Sequence, residues 1–167
     1  MSIFSYALPV MTPAELEEIR KAEKVLFDQE VAVTQEPKLR LLLSHLYVEH
    51  LLERYIETKV KSTAGLFGRN GLTFEKKICL AQSLGGLPPQ RVAAIRKLND
   101  LRNSCVHKFK YQPGTEKIDD LSRTFGKSYK SMKAKASGNQ DRLLLASLDR
   151  LCGSLLRAVV EAEHERA

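Results

Sequence analysis

With 167 residues and a 43% hydrophobic content, the chain is long enough for one well-buried core and too short for several, so a single domain over 1–167 is expected. No apolar run approaches the ~20 residues of a membrane span. Met1 to Val10 lacks the basic start and cleavage site of a signal peptide, so a chain with no membrane partner is expected. The net charge of +7 is uneven: residues 91–142 hold thirteen of the 27 Lys/Arg but only five of the 20 Asp/Glu. That clustering reads either as a polyanion-binding face or as a solvated basic surface.

In chain order, Thr12-Pro13-Ala14-Glu15 opens a first helix, with Thr as N-cap, Pro in the first turn and Glu15 closing a capping box. It runs to about Gln29, with an apolar stripe at Leu16, Ile19, Val25 and Leu26. A second helix starts near Glu36-Pro37 and reaches about Val60. Its apolar residues wrap almost all round, the mark of a central helix. Gly65, Gly68 and Gly71 mark a loop without the Lys-Ser/Thr ending of a phosphate loop.

Thr73 caps a third helix that stops at Gly85-Gly86, and Pro88-Pro89 introduces a fourth. There Val92, Ile95, Leu98, Leu101 and Cys105 recur at three- and four-residue steps, which predicts an amphipathic helix ending near His107. After Pro113-Gly114, residues 115–138 are polar and lysine-rich, with weak periodicity around Ile118, Leu121, Phe125 and Tyr129. Asp141 to about Ala162 is a final helix. No strand-like alternation and no internal repeat occur, so an all-α bundle of five or six helices is expected, with a basic polar segment at 111–138. Cys79, Cys105 and Cys152 lie in apolar helical contexts without a zinc pattern and read as buried thiols in a reducing cytoplasm.

The chemistry concentrates at Arg102-Asn103-Ser104-Cys105-Val106-His107. Arg40…His45 and Arg157…His164 have similar spacing, but they sit inside apolar helices. Only the third pair has Asn103 beside the arginine and the basic, aromatic run Lys108-Phe-Lys-Tyr111 after the histidine. RNA brings its own nucleophile, the 2′-hydroxyl. An enzyme need then only move protons and stabilise a charged transition state. His107 is a candidate general acid or base, Arg102 a bidentate partner for the phosphate, and Asn103 a group that orients His107 or touches the phosphate. No metal and no cofactor are expected. The competing reading is that Arg102 caps the helix end and His107 packs at its edge.

On a helix, Arg102 and His107 point about 140° apart. Either the chain turns at the helix end, or two copies across a two-fold axis assemble the site. On the second helix His45, Glu49 and Glu53 share a face. They read as paired polar core residues, or as groups that orient a histidine or hold a metal. Glu49, if it faces the fourth helix, could position Arg102 and is a candidate site residue. Lys108, Lys110, Tyr111, Lys127, Lys130 and Lys133 are candidate nucleic-acid contacts, with Tyr129 for stacking; a solvated face is the alternative for the lysines on 127–135.

The stretch from Thr73 to Gly85 (TFEKKICLAQSLG) followed by Ile95 to His107 (IRKLNDLRNSCVH) resembles the signature region of mannitol operon repressor (MltR)-like proteins. There, a Lys-Ile-x-Leu-Ala helix ending near glycine precedes an Ile-Arg…Arg-Asn-x-x-x-His helix. Those proteins resemble the wider HEPN superfamily, whose ribonuclease members carry an arginine, usually a polar residue next, and a histidine four to six residues on. Arg102, Asn103 and His107 match those positions. The likeness covers roughly 39–110 and is specific across 73–107; Cys105-Val106 departs from the aromatic or alanine usual before the histidine, and 111–138 has no counterpart. The resemblance implies a HEPN-type bundle, a homodimer with a composite site, and metal-independent RNA cleavage leaving a cyclic phosphate, in toxin–antitoxin or defence settings with a cognate antitoxin or regulatory protein. MltR-like members are instead described as transcriptional regulators, so a non-catalytic regulator or interaction module is the alternative.

Overall fold

The computed structural model describes residues 12–107 and 112–166. These residues form seven α-helices and no strand: α1 Pro13–Glu30, α2 Pro37–Lys59, α3 Phe74–Ser83, α4 Pro89–His107, α5 Thr115–Arg123, α6 Lys127–Ala136 and α7 Gln140–Arg166. The all-α reading holds. The helix number expected from sequence was too low, because the polar segment 115–138 contains two short helices, α5 and α6. Gly126, at φ +56°, separates them.

The ends are set by local chemistry. Thr12 and Glu15 form the reciprocal capping box at α1. Glu36 caps α2 through the amides of Lys38 and Leu39, and Thr73 caps α3 through the amide of Lys76. Between α3 and α4 the chain turns through Gly85 and Gly86, both left-handed at φ +80° and +82°. The hydroxyl of Tyr55 on α2 donates to the Gly85 carbonyl there, and a Cβ on Gly86 would collide with that hydroxyl. The turn is therefore pinned onto α2, which fixes where α4 begins.

Helix α2 lies at the centre, packed on α7 along most of its length and on α3 and α4 on the other side. Leu41, Val48, Leu51, Leu52 and Ile56 of α2 are fully buried against Ile95, Leu98 and Leu101 of α4 and Leu144, Leu148, Leu151 and Leu155 of α7. Each such side chain contributes about 1.5–3 kcal/mol by leaving water. Ile118 and Leu121 of α5 extend this core, and Ser122 and Ser147 satisfy each other inside it at 2.8 Å.

Helix α1 departs from its expected packing. Of the predicted stripe, Ile19, Val25 and Leu26 are exposed. The buried contact is Phe27, against Tyr47 and under the Arg40 guanidinium. Leu16 of the stripe packs partly buried against the core, and beside it the helix is held by ion pairs: Arg20 with Glu161 at 2.8 Å and Glu23 with Arg54 at 2.9 Å. No described helix is long and apolar enough to cross a membrane.

Candidate functional site

The C-terminal half of α4 is held against α2 by a polar contact inside the bundle. His45 Nε2 donates to Oδ1 of Asn99 at 3.2 Å, and the imidazole lies on the Phe74 ring, with centroids 4.1 Å apart. Burial holds the His45 imidazole below its ordinary pKa. The Asn99 hydrogen bond works against that, the nearby Arg102 cation adds to it, Glu49 opposes it and Lys77 reinforces it. His45 is therefore a neutral, structural histidine near pH 7. It takes the role expected of paired polar core residues.

Arg102 is one turn further along α4 and half-buried. Its Nη1 donates to Oδ1 of the neighbouring Asn103 at 3.1 Å. No carboxylate among the described residues reaches it. Asn103 is thus turned to the arginine rather than to His107, and it also lines a groove of about 510 Å³ between α4 and α5. His107 is the last residue of α4 and exposed. The helix is continuous from Arg102 to His107, so the two side chains keep their separation of about 140° around the axis. Neither side chain is spent on closing the helix end in the described residues. A single copy does not converge them through regular helix.

Glu49 is engaged elsewhere. Lys77, 6% exposed at its side chain, binds Glu49 at 2.5 Å and Glu53 at 2.6 Å. The carboxylate expected to position Arg102 instead joins α2 to α3. The reason is geometric: Lys77 sits on the inner face of α3, where a lone buried ammonium would be costly, and it takes both acids.

The lysine-rich face resolves in part. Lys127 and Lys130 are exposed on α6 and carry no ion pair among the described residues. Lys133 instead binds Asp119 of α5 at 3.1 Å and the Tyr129 hydroxyl at 2.9 Å. Tyr129 donates to Asp119 at 3.1 Å, and the cations of Arg123 and Lys133 stand 6.0 and 5.3 Å from the centre of its ring. Lys108, Lys110 and Tyr111 lie outside the described residues. Of the cysteines, Cys105 and Cys152 are buried as expected, whereas Cys79 is exposed beside Glu75 and Arg96.

One further feature was invisible in the linear chain. Arg91 of α4 and Arg150 and Arg157 of α7 meet along a groove between α1 and α7 of about 700 Å³. The only sequence signal is the seven-residue step from Arg150 to Arg157, which puts both on one face of α7. Comparison of the chain with protein-family models, curated proteins and solved structures finds no match.

Proposed function

We propose that the chain is a metal-independent endoribonuclease of HEPN type that works as a homodimer. The observation that carries this reading is Arg102: a half-buried guanidinium with no acid among the described residues, bonded only to Asn103 and one turn from an exposed histidine. An arginine placed for structure is normally paired when it is partly desolvated, as Arg40 and Arg54 are here. Arg102 leaves most of its fork for an incoming anion.

The divergence of Arg102 and His107 within one copy makes a second copy part of the proposal. Leu39 and Leu46 share the exposed face of α2, 47% and 60% exposed, and Val106 is exposed beside His107. Burial of these side chains against their counterparts would bring His107 of one copy toward Arg102 of the other. In that site His107 removes the 2′-hydroxyl proton or protonates the leaving 5′-oxygen. Arg102 stabilises the charge that develops on the phosphate, and Asn103 holds the guanidinium in place. The 2′-oxygen forms a bond to phosphorus as the 5′-oxygen leaves, giving a 2′,3′-cyclic phosphate. Lys127 and Lys130 would guide the strand. The setting that fits is a cytoplasmic toxin–antitoxin or phage-defence system, with a cognate antitoxin or regulatory protein as a further partner.

Cleavage of a labelled RNA pool in excess EDTA tests this reading. The wild type is expected to cut, leaving cyclic phosphate ends, and His107→Ala to lose the activity. Salt-sensitive binding by both proteins without cutting would favour the second reading, a non-catalytic regulator. Lys127 and Lys130, exposed on α6 without an ion pair among the described residues, are the observation that supports that alternative.

A further inference from the structure

We propose that the α1–α7 groove is a binding site for a chain of phosphates, carried either by an RNA strand or by a small oligophosphate. The proposal stands apart from the reading of Arg102 and His107, and it rests on four observations.

The first is an imbalance of charge within the groove. Its three carboxylates are already taken by cations of the protein: Asp149 by Arg40, Asp28 by Lys24 at 2.5 Å, and Glu17 by Arg20 at 3.6 Å. Arg91, Arg150 and Arg157 line the same groove and make no ion pair among the described residues. Three guanidiniums without an ion pair among the described residues, gathered in one concavity, raise the local potential and favour an anion there.

The second is that Arg91 is placed unfavourably for the protein alone. Burial pushes its pKa down; the attraction of Glu161 and Tyr55 only partly opposes this, and Arg157 close by pushes down again. An arginine that is both desolvated and beside a like charge gains most when an anion arrives.

The third is the floor of the groove. Gly153 lies in the interior of α7 between Arg150 and Arg157, and a Cβ there would meet nothing within 4 Å. Glycine weakens a helix interior, and no packing among the described residues requires it here. A backbone laid bare between two arginines lets a ligand come close.

The fourth is unmet hydrogen bonding. Tyr47 Oη and Arg20 Nε both belong to residues that line the groove, and both atoms are buried without a hydrogen-bond partner among the described residues.

Arg150 and Arg157 are about 10 Å apart along the helix axis. Consecutive phosphates can span that step with one arginine on each, and the planar guanidinium fork suits each of them.

The test uses the full chain carrying His107→Ala, so that bound RNA stays intact and the outcome does not depend on catalysis. The probes are inorganic tripolyphosphate, followed by calorimetry, and a short fluorescein-labelled single-stranded RNA, followed by anisotropy. Arg150→Gln/Arg157→Gln changes two solvent-facing side chains, and circular dichroism checks that the fold is kept. At least one probe is expected to lose about tenfold or more in affinity. If RNA is the ligand, its log–log salt slope falls by roughly 1.4, two phosphate contacts' worth, and tripolyphosphate competes with it. If only tripolyphosphate depends on the arginines, the ligand is a small oligophosphate. Gly153→Leu fills the groove without changing charge and is expected to weaken the same probe. Binding of neither probe, or binding that survives all three substitutions and is lost instead in Lys127→Gln/Lys130→Gln, overturns the proposal.

Discussion

Arg102 donates to Oδ1 of Asn103, its immediate neighbour, at 3.1 Å, and among the described residues this is the only hydrogen bond that the guanidinium makes. The contact orients the fork without neutralising it. Arg102→Ala is therefore expected to reduce RNA cleavage by 10²-fold or more, the usual cost of one transition-state donor, while leaving the melting temperature nearly unchanged. Single-turnover rates beside thermal melts check this. A drop in stability without a loss of rate would return Arg102 to a structural role.

In the proposed dimer the exposed leucines of α2 form the interface. Leu46 is 60% exposed, so Leu46→Glu introduces no buried charge in the isolated copy. The variant is expected to sediment as a monomer, melt within about 0.5 kcal/mol of the isolated wild-type subunit, and lose cleavage. A dimer that persists in Leu46→Glu would place the interface elsewhere.

Lys77 links α2 to α3 through two glutamates. Its removal leaves Glu49 and Glu53, one turn apart, repelling each other and partly desolvated. Lys77→Ala is expected to cost ~2 kcal/mol in urea unfolding, below the figure for a fully buried pair because both glutamates keep some solvent contact. Adding Glu49→Gln to that variant should recover part of the loss.

His45 makes stability pH-dependent. Its imidazole titrates below 6.5 in the folded chain, so the unfolded chain takes up the proton first as pH falls. The stability that this group supports is present above about pH 6.5. It declines as pH drops through that value toward the lower folded one, with a slope of up to about 1.4 kcal/mol per pH unit. His45→Gln should flatten that part of the unfolding profile between pH 7 and 5. An unchanged profile would assign the acid sensitivity to other groups.

Gly153 provides a check with the opposite sign. Alanine fits there without a clash, so Gly153→Ala is expected to stabilise the protein by roughly 0.5–1 kcal/mol, read from the shift in the urea midpoint.

Much of the fold was legible because local rules and tertiary packing agree. The capping box at Thr12 and Glu15, the Thr73 cap and the Gly85-Gly86 stop mark helix ends through contacts a few residues apart. The α4 stripe from Val92 to Cys105 is buried as its period requires. For α1 only Leu16 of the expected stripe packs on the core, because much of the inner face is built from ion pairs with α2 and α7 that no local pattern reveals. In α5 and α6 many lysines and few large apolar residues hide short helices that dock on α7. At the site, Arg102, Asn103 and His107 were visible as a motif. The capture of Glu49 by Lys77 was not, since it depends on how α3 packs. The arginine groove joins residues from four helices, α1, α2, α4 and α7, and only the Arg150–Arg157 step hinted at it.

The central claim is a site shared between two copies, and mixing two inactive variants tests it most directly. Arg102→Ala and His107→Ala are combined, allowed to exchange subunits, and assayed on RNA in EDTA beside the wild type. In a mixed dimer one site lacks both groups, while the other keeps an intact Arg102 from one copy and an intact His107 from the other. The account predicts that neither variant cuts alone and that the mixture recovers up to about a quarter of wild-type cleavage, as random pairing dictates. A mixture as inactive as its parts, with subunit exchange demonstrated and the wild type active, would contradict it.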